Sequence, residues 1–99
     1  MWATYYIQQL REGKTISFRP RGNSMQPRIY SGELCTVQPI DDVTLAVGDV
    51  VLCVVSGKQY LHLITAINGD RYQISNNHGN INGMISISKI YGKLIKVEK

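Results

Sequence analysis

From Trp2 to Leu10 the apolar positions fall at helical spacing. Trp2 and Tyr6 are four apart, as are Tyr6 and Leu10, and Tyr5 and Ile7 widen the stripe. Gln8, Gln9, Arg11 and Glu12 take the remaining positions, and Gly13 supplies a stop. The pattern predicts one short amphipathic helix whose aromatic stripe faces the core or a partner. Beyond Gly13 the period changes to two. In residues 15–20, TISFRP, Ile16 and Phe18 alternate with Thr15, Ser17 and Arg19. Residues 33–40, ELCTVQPI, alternate with both sides fairly apolar. Residues 49–57, DVVLCVVSG, form a continuous apolar run, as in a strand covered on both faces. Residues 59–69 and 71–77 make a β pair around Asn68-Gly69-Asp70, a sequence that favours a tight hairpin. GMISIS (83–88) and KIYGKLIKVEK (89–99) close the chain. One helix followed by many short strands predicts a mostly β fold, a compact coiled-sheet or barrel-like unit.

Length adds a bound: 99 residues fit a single domain, with a helical segment over 1–13 and a β unit over 14–99. A hydrophobic share of 43% is enough to offset chain entropy, so an ordered core is expected. The net charge of +4 attracts acidic partners only mildly. Its one local cluster is Arg19, Arg21 and Arg28; Lys89, Lys93, Lys96 and Lys99 read as decoration of an edge strand. Cys35 and Cys53 each sit inside an apolar run and read as buried free thiols, with no second ligand at metal spacing. No stretch reaches the roughly 20 apolar residues of a membrane span, and the N-terminus lacks a basic-then-apolar leader pattern. The expectation is a soluble cytoplasmic protein that needs neither metal nor cofactor.

Chemistry concentrates in residues 22–27, Gly22-Asn23-Ser24-Met25-Gln26-Pro27. Glycine permits backbone angles that other residues resist, and proline removes a donor and restrains its neighbour. A serine between them can project from a strand end, with the N–H groups of Gly22, Asn23 and Met25 as candidate oxyanion donors. Met25 would pack beneath as an apolar anchor. The plain alternative is a turn serine bonded to its own backbone. A serine hydroxyl needs a base, and His62 in YLHLI is the candidate.

The order Gly-x-Ser-Met-x-Pro, then Gly32-Glu33, then Gly48-Asp49-Val50-Val51, then a strand bearing the base resembles the LexA-like and signal-peptidase-like serine peptidases. The resemblance spans roughly residues 16–97 and includes IYGKLIKV as a closing strand. It implies that family's fold and a serine peptidase activity. Most of the family uses a lysine base; here the matching strand carries His62, as in eukaryotic-type signal peptidases, while Lys58 falls in a turn. In the histidine-using relatives an aspartate follows. The matching segment here is Ser75-Asn76-Asn77-His78-Gly79, which makes Asn76 the candidate for orienting the imidazole. Asp49 and Asp70 are further acids, and His78 reads as a loop residue.

Three readings stay open. The first is a peptidase with a Ser24–His62 dyad that binds an extended peptide by strand addition and cleaves it in trans or within its own arm. The second is an inactive binding or regulatory module of the same descent, of a kind that would suit a phage or mobile element, with its aromatic helix at a homodimer contact. The third, nucleic-acid binding through Arg19, Arg21 and Arg28, has no recognised motif behind it.

Overall fold

The computed structural model describes residues 1–41 and 44–99. Helix α1 (Thr4–Arg11) opens the chain. It buries Ile7 and Leu10, with Ala3 fully buried just before it. It stops where Gly13 takes φ +85°: Lys14 N–H reaches back to Gln9 O and Gly13 N–H to Leu10 O, the paired bonds of a glycine C-terminal cap. Of its aromatic stripe only Tyr6 turns inward, stacked on Phe18 at a centroid distance of 4.5 Å, while Tyr5 is exposed.

Among the described residues seven strands follow: β1 (Ile16–Phe18), β2 (Leu34–Pro39), β3 (Val50–Val55), β4 (Lys58–Asn68), β5 (Arg71–Ser75), β6 (Ile81–Ser86) and β7 (Ile90–Glu98). Their order in the sheet is β1-β2-β7-β3-β4-β5-β6, with every neighbour antiparallel. β1 and β6 stand at opposite ends. The sheet is therefore open, which corrects the barrel-like expectation and, with it, the LexA/signal-peptidase fold read from the sequence. The cause of the error is physical. Alternating apolar residues report which face of a strand is buried, whereas closure depends on whether the first and last strands meet.

β3 lies at the centre of the molecule. Val50 and Leu52 join the cluster beneath α1, together with Leu10, Phe18 and Leu61. Val51, Cys53 and Val55 point the other way and pack with Ile64, Ile74 and Ile85. Both faces of this strand are covered, as its unbroken apolar run predicts. The β4–β5 hairpin turns at Gly69-Asp70, with Asn68 opposite Arg71 and Gly69 at φ +61°. β7 corrects another expectation in part: at Lys93 it runs between β2 and β3, whereas Lys96 pairs with β2 alone. The Lys93 side chain pairs with Asp49 at 3.4 Å. Among the described residues no helix is long and apolar enough to cross a membrane.

Candidate active site

Ser24 sits on the loop joining β1 to β2, and that loop is tied at its neck. Gly32 N–H donates to Pro20 O at 2.8 Å, Arg19 Nη1 donates to Gly32 O at 2.9 Å, and Gly22 N–H donates to Ser31 Oγ at 3.1 Å. Two apolar anchors pin the loop from below. Met25 and Ile29 are buried in the α1-side cluster, and Ile29 N–H closes a helical turn onto Met25 O at 3.0 Å. Gly22 takes φ +115°, a conformation that favours glycine, just before the serine. The result is an exposed Ser24 on a braced turn.

His62 lies on β4 opposite Val51 and is buried, with only 6% of its surface exposed. Its Nε2 is 3.1 Å from Ser24 Oγ. Its Nδ1 is 2.7 Å from Oδ1 of Asn82 on β6. An amide oxygen only accepts, so Nδ1 carries the proton and the lone pair of Nε2 faces the serine hydroxyl. The ring also stacks on Tyr60 at 4.7 Å. Burial pushes the imidazole pKa below its ordinary value, with the Asn82 hydrogen bond opposing that shift in part.

The orienting residue is thus Asn82 and not Asn76. The Asn76 amide is turned into its own loop, where its Oδ1 accepts the N–H groups of His78 at 2.9 Å and Asn80 at 3.0 Å. Local capping of this kind competes well for an asparagine side chain. The loop still serves the site, because Asn77 staples it to the serine turn. Asn77 N–H donates to Ser24 O, its Nδ2 donates to Gln26 O, and its Oδ1 accepts from Arg28 Nε. His78 Nε2 adds a bond to Asn23 O at 3.0 Å. Nothing in the sequence separated Asn77 and Asn82 from the other asparagines of residues 76–82.

The oxyanion candidates divide. Gly22 N–H is already satisfied by Ser31, so Gly22 shapes the turn and supplies no donor. Among the described residues the N–H groups of Asn23, Ser24 and Met25 have no protein acceptor. The acids lie elsewhere: Asp49 accepts Ala46 N–H and pairs with Lys93, and Asp70 is exposed in the β4–β5 turn. Lys58 is the exposed first residue of β4. No group of three metal-binding side chains gathers among the described residues.

Ser24 and His62 line a cleft of about 620 Å³ together with Phe18, Met25, Ile29 and Leu61. Arg19 and Arg21 stand at its wall and among the described residues no acid lines it, while Arg28 is drawn away to Asn77. One side of the cleft is a strand edge. β4 pairs with β3 from Lys58 onward but with β5 only from Leu63, so residues 58–62 have a strand on one side alone. No family model matches this sequence, and no curated protein matches it either.

Proposed function

We propose that the chain is a serine peptidase-type hydrolase acting on an extended peptide laid against the free edge of β4. One observation carries this reading: an exposed serine hydroxyl 3.1 Å from a buried imidazole whose far nitrogen is held at 2.7 Å by an amide oxygen. This arrangement supports reading Ser24 as a nucleophile, His62 as its base and Asn82 as the orienting group. Ser24 Oγ would attack the peptide carbonyl as its proton passes to His62 Nε2. The unpartnered N–H groups of the turn are available to the oxyanion. His62 would return the proton to the leaving amine, and water would then release the acyl group by the reverse transfers. The motif order shared with LexA-like and signal-peptidase-like enzymes supports the same chemistry. The arginines at the wall favour peptides that place a carboxylate beside an apolar side chain.

A second reading, a binding module without turnover, is favoured by Asn82 itself. A neutral amide fixes the tautomer but gives the imidazolium no full countercharge. A peptidyl phosphonate separates the two. Labelling that requires both Ser24 and His62, and disappears in Ser24→Ala and His62→Ala, supports the hydrolase. Absence of labelling in the parent protein, with retained peptide binding, selects the module.

A further inference from the structure

The free edge of β4 ends at Trp2. Along a strand the backbone groups alternate in direction. Ile64 exchanges bonds with Gly48 and Asp49, and His62 and Tyr60 face Val51 and Cys53 in the same register. Leu61 and Gln59 therefore turn their N–H and C=O groups toward the cleft. The Gln59 carbonyl is already engaged, because the Trp2 indole N–H donates to it at 3.2 Å. The Gln59 side chain holds the same segment: its Oε1 accepts Ala3 N–H at 2.7 Å and its Nε2 donates to Thr4 Oγ1 at 3.0 Å. The indole packs on Phe18 at a centroid distance of 5.7 Å, and 46% of Trp2 remains exposed where it lines the cleft.

Building on the peptide-cleft reading, we propose that Trp2 is the end wall of the groove and limits how many substrate residues it holds on one side of the bond facing Ser24. Gln59 lies three positions from His62, which is about 10 Å of strand. A bound strand bonds Leu61, reaches Gln59, finds its carbonyl occupied and meets the indole. The groove accordingly takes about three residues on that side, with the outermost stacked on Trp2. Trp2 thus acts as a length-selecting residue and takes no part in the chemistry.

The test uses Ser24→Ala, which binds without turnover, and two series of end-blocked peptides around one fixed bond. One series grows on the acyl side and the other on the amine side. Affinity is read by calorimetry, and Trp2, the only tryptophan of the chain, reports its own environment by emission. In one series affinity climbs about five-fold for each residue that adds a strand hydrogen bond, then stops after about the third. At that length the emission shifts to the blue, and with Trp2→Ala the climb continues. The emission shift needs no Trp2 variant, so it tests the wall independently. Peptides that bind with an unbroken climb in both series, unaltered by Trp2→Ala, or that leave the emission unchanged at every length, overturn the wall and leave the peptide reading standing. Binding by no peptide overturns both.

Discussion

Asn82 Oδ1 lies 2.7 Å from Nδ1 of His62, two strands away across the sheet, and it is this contact that aims the other ring nitrogen at Ser24. The partner is neutral, which sets an expected outcome. Asn82→Asp places a negative charge beside the imidazolium that would form as Ser24 is deprotonated, a gain of about 1–2 kcal/mol or about ten-fold in the acylation rate. Asn82→Leu removes the tautomer control and lowers that rate by about a hundred-fold or more. Second-order rates with a peptidyl phosphonate measure both.

The buried ring also sets a pH dependence. His62 titrates below the ordinary imidazole value because burial disfavours its charge. Only the neutral ring accepts the serine proton, so acylation persists to lower pH than an unburied histidine would allow. Stability follows the same linkage. As pH falls, the unfolded chain protonates this residue first, so the folded state loses stability from the ordinary imidazole value down to the depressed one. Above that window the contribution is complete. Urea unfolding at a series of pH values shows the slope, and His62→Gln flattens it.

Asn76 was expected to orient His62 because it stands in the segment matching the aspartate of the histidine-using relatives, and the strand pairing places that segment close by. Leu63 opposes Ser75, so the next rung brings residue 76 alongside His62. Asn76 nevertheless spends its amide on the N–H groups of its own turn. Asn82 arrives through β6 and past register shifts between Ile64 and Ala66 and between Ile74 and Ser75. Such shifts cannot be counted from periodicity, since each one moves every later side chain to another position. The serine turn and the strand histidine were legible because glycine, proline and apolar alternation mark them locally. The open sheet was not, because it is decided by which strand ends meet. The position of Trp2 was half legible: the spacing placed it on a stripe facing the core or a partner, but its indole bond to Gln59 joins residues 57 apart.

Asn77 braces the Ser24 turn from the opposite loop, and under the proposed function its role separates from that of His62. Asn77→Ala keeps the backbone bond to Ser24 O but loses the side-chain bonds to Gln26 O and Arg28 Nε. The expected loss of stability is about 1–2 kcal/mol for two partly exposed hydrogen bonds. Phosphonate labelling of Ser24 slows, while the pH midpoint of the reaction, which belongs to His62, does not move. A shifted midpoint would instead place Asn77 in the proton-transfer geometry.

The two thiols supply a control for the choice of nucleophile. Burial, reinforced by Glu33, raises the Cys35 pKa to about 11, and burial alone raises that of Cys53 to about 12. They sit in clusters on opposite sides of β3, so they do not pair with each other. At neutral pH neither presents a thiolate. Iodoacetamide is expected to label neither cysteine in the folded protein and both in urea, as read by mass spectrometry, and to leave phosphonate labelling of Ser24 unchanged.

Helix α1 rests on β7 at Gly92 through Leu10. A Cβ at this position would lie 2.5 Å from Val37 Cγ1, 2.8 Å from Leu10 Cδ1 and 3.0 Å from the Gln38 carbonyl oxygen. Val37 and Gln38 belong to the neighbouring strand β2 and Leu10 to the helix, so relief requires both β2 and the helix to give. Gly92→Ala is expected to cost about 1–3 kcal/mol. For a domain of this size each kcal/mol lowers the melting temperature by about 4–8 °C. Leu10→Ala alone costs about 2–5 kcal/mol by leaving a cavity. Made together the two changes cost less than their sum, because the shortened residue 10 vacates part of the space the new methyl enters. Thermal melts of the two single variants and the double variant measure that coupling, and strict additivity would mean the helix does not seat on Gly92.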